Sequence, residues 1–312
     1  MPIETEKKNF LIINSYFLGD ILLTNSLVQN IKRIFPNSNI IMLAPSHYEA
    51  AAKYQKDVDE VIIWNRKGEH KGILGIIKFL RNFPYKNIYA AFPIYGSQGS
   101  MNMAKLLNAK YILAPKSKRY SRFWRKSKYD FVYEGEKIQT QMLSVLNGIT
   151  KERLIDCPIK FYPPENASIK LPQNYIALVP SSTRMTKEIP TDTIKSIVEN
   201  HPEKNFVLLG KGESIKKYSE ILKDFKNVID FSNKLNLKES SYVLFKSSGS
   251  ICCDTGFLHM SYAMNIPTVG VFYEHNMERF MPDETMYKKV SIIKENQTAE
   301  NIFNTLIQKM GE

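Results

Sequence analysis

Cysteine is scarce: three residues in a chain of 312, with Cys157 alone and Cys252 and Cys253 adjacent in an apolar run. Neighbouring residues of a strand point to opposite faces, so the pair cannot clamp a zinc ion as CxxC does, and the cysteines read as buried small hydrophobes. The five histidines, His47, His70, His201, His259 and His275, have no ligand spacing such as HxxxH, so no metal is implied. No apolar run reaches the eighteen or so residues that span a bilayer. The opening "MPIETEKKNF" has no apolar stretch of signal-peptide type, which makes a cytoplasmic location the expectation. No strand-like segment is followed by a complete GxGxxG or by GxxxxGK[ST], which argues against an NAD-dependent oxidoreductase and a P-loop ATPase. Low-complexity tracts and short-period repeats are absent as well.

What is present is a globular composition with a cationic excess. Apolar residues make up 43% and aromatics 12%, enough to bury a core. Forty-three Lys and Arg against thirty-one Asp and Glu give a net charge of +12. Such an excess suits nucleic acid, an anionic membrane surface or an anionic small substrate; scattered lysines also fit a background bias of composition. The segment "KSKRYSRFWRKSK", 116–128, is distinct: seven of its thirteen residues are basic, none is acidic, and Tyr120, Phe123 and Trp124 are interleaved. It suits phosphates beside an interface, single-stranded nucleic acid, or a solvated basic loop.

Strand-like and helix-like segments alternate along the chain. "FLIIN", "NIIMLAP", "VDEVIIW", "NIYAAFP" and "KYILAP" read as strands separated by helical stretches, including "KGILGIIKFLRNF" and residues 137–148. Four prolines between Ile155 and Tyr175 mark a linker, after which "YIALVP", "NFVLLG", "VIDFS", "SICCD" and "PTVGVFY" repeat the alternation. Parallel sheets with right-handed crossovers follow. The expected fold is therefore α/β, with two Rossmann-like domains facing across a cleft, 1–160 and 161–312. A closing helix at 298–310 is free in sequence terms to pack back on the first.

Ligands of open parallel sheets bind where strands end and helices begin. After "LIIN" the loop holds one glycine, Gly19, and then a carboxylate, Asp20, which is either a helix cap or a reactive group. After "YIALVP", the hydroxyls Ser181, Ser182, Thr183 and Thr186 accompany Arg184 and Lys187. That set suits phosphate, or forms a polar turn with Thr191 as helix N-cap. In "LLGKGES", Glu213 would hold a ribose diol or favour the first turn of its helix. In "SICCDTGFLHM", Asp254 ends a strand and Thr255 and Gly256 open a helix whose free N–H groups can hold an anion. Asp254 would cap that helix or accept sugar hydroxyls, and His259 would meet a phosphate or serve structure. The "DVD" at Asp57–Asp59 matches a metal-binding DxD, but its place before a strand suits a solvated turn.

Taken together, these motifs resemble glycosyltransferase family 9, the ADP-heptose:lipopolysaccharide heptosyltransferases. The resemblance runs from "LIINSYFLGDILLTNSLVQNIKRIFPNSNI" through "DTGFLHMSYAMNIPTVGVFY" to "NMERFMP". It rests on Leu18-Gly19-Asp20, on Ser182, Thr183 and Lys187 ahead of "EIP", and on Asp254-Thr255-Gly256 with His259. Three places depart from the family pattern. Phe17 stands where a small residue is usual, "AAFPIYGSQGS" replaces an acidic segment, and "FYEHNMERF" replaces an "FGPTDP"-like loop.

The resemblance implies the GT-B fold and inverting, metal-independent sugar transfer without a cofactor. It gives Asp20 the role of general base and Lys187 a catalytic role on the leaving diphosphate. Donor binding falls to Ser182, Thr183, Lys187, Glu213, Asp254, Thr255, Gly256 and His259. Acceptor binding falls to Gly19 and, with the basic segment, to Arg119, Arg122, Arg125 and Lys126. The implied partners are a nucleotide-sugar donor, with ADP-heptose foremost, and a phosphorylated lipid-linked saccharide acceptor. Peripheral contact with the cytoplasmic face of the inner membrane is implied, and nucleic acid is not. The same fold with another nucleotide sugar, or a non-catalytic sugar-nucleotide binder, are the other readings.

Overall fold

A computed structural model describes residues 7–115, 130–131, 135–165, 168–274 and 277–311. The chain divides into two compact units, residues 1–159 and 160–312. In the first, five parallel strands, β1 (Lys8–Ile13), β2 (Ser38–Ala44), β3 (Glu60–Ile63), β4 (Ile88–Pro93) and β5 (Tyr111–Ile112), lie in the order β3-β2-β1-β4-β5. A two-stranded pair, β6 (Ala114–Pro115) with β7 (Asp130–Phe131), follows. The second unit repeats the pattern with β8 (Tyr175–Val179), β9 (Asn205–Leu208), β10 (Val228–Asp230), β11 (Gly249–Cys253), β12 (Thr268–Val271) and β13 (Val290–Ile293). Their order is β10-β9-β8-β11-β12-β13, again all parallel.

In both sheets the chain moves outward for three strands and then returns to the far side of the first. Each sheet therefore has a topological switch point, between β1 and β4 in one and between β8 and β11 in the other, where ligands of such folds bind. The central strands are buried on both faces and consequently read as unbroken apolar runs: Phe10 to Ile13 and Tyr175 to Val179 are at most 1% exposed.

The helices of the first unit are α1 (Leu18–Leu23), α2 (Asn25–Ile34), α3 (Glu49–Lys53), α4 (Gly72–Asn82), α5 (Gln98–Leu106) and α6 (Ile138–Ser144). Those of the second are α7 (Thr191–Asn200), α8 (Lys216–Leu222), α9 (Leu237–Phe245), α10 (Gly256–Ala263) and α11 (Ala299–Gly311). Ile302, Phe303 and Leu306 of α11 join the apolar core of the second unit beside Ile197, Val198 and Ile251. Among the described residues, no helix is long and apolar enough to cross a membrane.

Several expectations change in detail. The opening helix is interrupted at Thr24, whose hydroxyl donates back to the Ile21 carbonyl at 2.6 Å, a local bond that competes with the helical ladder. The helical stretch 137–148 is α-helical only over Ile138–Ser144 and tightens to a 3-10 turn over Val145–Gly148. β13 has no counterpart in the sequence reading. Thr191 does not cap α7: Pro190 takes that position and Thr191 is already helical.

The proline-rich linker is anchored at its start. Asn30 of α2 pairs with both backbone groups of Ile155, donating at 2.8 Å and accepting at 3.0 Å. Gln29 donates to the Pro158 carbonyl at 2.8 Å, and Gln139 of α6 to the Cys157 carbonyl at 3.0 Å. Amide side chains supply these bonds because each carries a donor and an acceptor, which is what unpaired strand-like backbone requires.

Candidate active site

Asp20 is the third residue of α1, and its local geometry follows from that position. Its carboxylate reaches back to the backbone N–H of Phe17 at 3.2 Å, the N-cap. A first-turn carboxylate is favoured there by the helix dipole and the open N–H groups. The Asn14 side chain, fully buried at the end of β1, donates to the Asp20 carbonyl at 3.0 Å and accepts the Tyr16 N–H at 3.2 Å, fixing the turn. The second carboxylate oxygen accepts the Tyr95 hydroxyl at 2.5 Å. Tyr95 follows β4, so this bond joins the two strand ends flanking the first switch point. Asp20 retains 8% of its surface. Tyr16 lies edge-on to Tyr95 with ring centres 4.6 Å apart, and the Phe17 ring is 64% exposed. Burial raises the Tyr48 phenol above its ordinary range, with the Leu18 N–H pulling it down and the Asp20 charge pushing it up, so that it stays protonated nearby.

The second switch point carries the corresponding pair. The loop from Pro180 to Ile189 closes on itself, the Ile189 N–H donating to the Pro180 carbonyl at 3.1 Å. A single 3-10 turn over Met185–Lys187 then aims Lys187 inward. Its ammonium meets Asp254, the residue after β11, at 2.5 Å, and both side chains are largely buried, 12% and 7% exposed. The Cys253 thiol donates to the Ser181 carbonyl at 3.2 Å, tying the strand end to the loop base.

Thr255, rather than Asp254, is the N-cap of α10; its hydroxyl is buried and has no hydrogen-bond partner among the described residues. Four backbone N–H groups at a helix start lack intrahelical partners. A cation, an unsatisfied hydroxyl and a helix N-terminus are thus brought together. His259, one turn further on, is 4% exposed and shares a 2.6 Å hydrogen bond with the Tyr262 hydroxyl through Nδ1. Burial lowers its pKa to about 4; the Asp254 charge raises it and Lys187 lowers it further. Its imidazole is therefore neutral at physiological pH.

Of the other residues expected to bind a donor, Ser182 is held through its N–H, which donates to Glu188 at 3.1 Å. The Ser182 hydroxyl accepts the Arg184 N–H at 3.4 Å, and Thr183 is exposed. Glu213 is not brought to the Lys187–Asp254 pair: it is 86% exposed and pairs with Lys216 at 2.7 Å. Gly19 is buried in α1 next to Asp20. Arg119, Arg122, Arg125 and Lys126 lie outside the described residues.

Two residues of these sites escaped the sequence reading. Tyr95 sits in the segment that departs from the family pattern, and that departure was its only signal. Glu188 gave none: its carboxylate, 2% exposed, accepts from the Ser182 N–H, the Ser214 hydroxyl and Lys217, and so locks the Ser182 loop to the start of α8.

The "DVD" is accounted for by structure. Asp59 accepts Lys32 at 2.6 Å and the Ile40 N–H at 2.7 Å, while Asp57 holds a left-handed turn at φ 68°. Among the described residues, no cluster of three or more His, Cys, Asp or Glu is placed to hold a metal ion.

Comparison with known proteins agrees with the fold. A family model described as glycosyltransferase family 9 (heptosyltransferase) matches residues 150–309. A search of curated proteins found no match. Among solved structures, a glycosyl transferase family 9 protein from Veillonella parvula superposes with a TM-score of 0.83 at 13% identity, covering 97% of each chain. Escherichia coli ADP-heptose LPS heptosyltransferase II gives 0.78 at 14% identity, over 97% of this chain and 98% of that one. The E. coli heptosyltransferase WaaC, solved with ADP, gives 0.75 at 13%, over 96% and 99%. With two Rossmann-like sheets of parallel strands in the GT-B fold of these neighbours and the family model spanning 150–309, the chain belongs to glycosyltransferase family 9, the heptosyltransferase family.

Proposed function

We propose that this protein is an inverting glycosyltransferase that moves heptose, or a related sugar, from ADP-heptose to a phosphorylated, lipid-linked saccharide of the lipopolysaccharide-core type. The carrying observation is the Lys187–Asp254 pair beside the open start of α10 and the unpartnered Thr255 hydroxyl. Asp254 balances the charge of Lys187 in the pair, so what the constellation offers a diphosphate is hydrogen-bond donors, from the Lys187 ammonium, the Thr255 hydroxyl and the helix start. The relative WaaC was solved with ADP and with ADP-2-deoxy-2-fluoro heptose, which supports a donor of this class.

In this reading the second unit holds the donor and the first the acceptor. Asp20 accepts the proton of the acceptor hydroxyl as its oxygen attacks the anomeric carbon from the face opposite the leaving group. The configuration inverts through an oxocarbenium-like transition state. The Tyr95 and Phe17 hydrogen bonds each take one lone pair of the carboxylate and fix its plane. Charge gathering on the departing diphosphate is met by Lys187 and by the N–H groups of Gly256 and its neighbours. Those cationic and dipolar groups serve where a divalent ion would otherwise be needed, and the reaction is read as metal-independent. Ser182 and Thr183 line the loop at the donor's edge. His259 supports the site as a neutral group rather than as an acid.

Asp20→Asn is the test. Transfer from ADP-heptose to a deacylated core acceptor should fall by roughly 10²–10⁴-fold, the usual worth of a general base, while ADP binding is retained. Retained transfer in Asp20→Asn would refute the assignment of the base.

A further inference from the structure

The helix α4, Gly72–Asn82, carries an exposed apolar patch that the donor and acceptor chemistry leaves unused. Ile73, Leu74 and Ile77 are 78%, 82% and 40% exposed, against a core in which most large aliphatics are fully buried. The helix is anchored by its other side. Phe79 is buried beside Trp64 and His70, and a Cβ at Gly75 would come within 2.6 Å of the His70 backbone, so this side packs too closely for any larger residue.

At about 100° per residue, Ile73, Ile77, Arg81, Leu74 and Lys78 fall on one arc of about 140°, with Gly75 and Phe79 outside it. Lys78 and Arg81, and Lys67 and Lys71 just before the helix, are exposed. From Arg66 to Lys86 there are six basic residues and one acidic residue, Glu69. Aliphatic side chains thus project from the centre of a cationic surface.

We infer that this face of α4 docks on an anionic lipid bilayer, with Ile73, Leu74 and Ile77 inserted at the level of the headgroups. Lys67, Lys71, Lys78 and Arg81 would meet lipid phosphates there. The charge decides the occupant. Long basic side chains can lay their stems along the acyl boundary and keep their heads at phosphate level, which suits an interfacial helix. A second copy of this chain would instead set four cations against four cations. The inference names the element that would carry the membrane contact of the proposed acceptor chemistry, and it rests on that reading only for its biological purpose. The binding itself is measured without donor or acceptor, so failure of either one is seen separately.

The full chain is sedimented with vesicles of phosphatidylcholine alone and with vesicles holding one quarter phosphatidylglycerol. The wild type should bind the anionic vesicles, with binding that weakens as salt rises. Ile73→Ser/Leu74→Ser/Ile77→Ser should lower that binding by about tenfold or more at every salt concentration, since the lost insertion is not electrostatic. Lys71→Gln/Lys78→Gln should lower it by about fivefold per residue at low salt and reduce the preference for anionic lipid. All five positions are exposed, so both variants should melt with the wild type, and light scattering should show the same mass for all three. Two results overturn the inference. One is vesicle binding by the triple variant equal to that of the wild type, which would place the lipid contact elsewhere. The other is a wild-type dimer that the triple variant dissolves.

Discussion

The neutral imidazole at position 259 makes the second unit acid-sensitive by an amount that can be worked out. His259 has an ordinary pKa near 6.5 that burial lowers to about 4 in the folded chain. Between those values the unfolded chain binds a proton that the folded chain refuses. Stability therefore rises with pH across the window, is fully present above about pH 6.5, and is lost as pH falls toward 4. At about 1.4 kcal/mol per pH unit, the full window is worth about 3 kcal/mol. For a unit of this size that is roughly 6–12 °C in Tm.

The perturbation is His259→Gln, which keeps an acceptor for the Tyr262 hydroxyl but takes up no proton. Scanning calorimetry of both proteins from pH 4 to pH 8 reads the effect. Tryptophan fluorescence would not, because Trp64 and Trp124 both precede the boundary at residue 160. The wild type should lose its advantage over the variant progressively below pH 6.5, while the two keep a constant separation above pH 7. Parallel Tm curves across the whole range would mean that His259 titrates equally in both states and adds no acid sensitivity.

Tyr95→Phe removes the 2.5 Å bond to Asp20 while keeping the ring that packs on Tyr16. A hydrogen bond to a charged group is worth about 1.5–3 kcal/mol, so kcat should fall roughly 10- to 100-fold with KM for the donor unchanged; a change confined to donor KM would contradict the positioning role. Gly210 holds φ 156°, and a Cβ there would come within 2.8 Å of Ile215 and 2.9 Å of the Ser181 hydroxyl. Gly210→Ala should therefore cost about 1–3 kcal/mol in thermal unfolding and also weaken ADP binding, because the Ser181–Glu188 loop must move.

The parts of the site that were legible in the sequence are those set by local chain direction. Asp20, Lys187 and Asp254 each follow a strand and precede or open a helix, so their place at a sheet's carboxyl end could be read from alternation alone. Tyr95 and Glu188 are different in kind. Tyr95 meets Asp20 only because β4 returns to the far side of β1, a crossover that no local pattern encodes. Glu188 is an ordinary acidic residue until Ser214 and Lys217, nearly thirty residues on, fold onto it. β13 is hard to see in the sequence because its four residues, Val290–Ile293, are a short run between the charged flanks Lys288-Lys289 and Lys294-Glu295. In "KGILGIIKFLRNF" the spacing announces a helix, but only packing decides that Gly75 and Phe79 face inward and that Ile73 and Leu74 do not. Glu213 was the reverse case: its position after β9 suited a ribose, yet the chain turns it outward to Lys216.

In the proposed function, the switch point at Lys187 and Asp254 binds a nucleoside diphosphate of the ADP-sugar class. Isothermal titration of the full chain with ADP, UDP, GDP and CMP, first without and then with Mg²⁺, tests it most directly. ADP should bind selectively without metal, and Lys187→Ala should weaken it at least about tenfold, the loss expected for one charge-assisted contact to phosphate. Binding of none of the four, or ADP binding indifferent to Lys187→Ala, would contradict it.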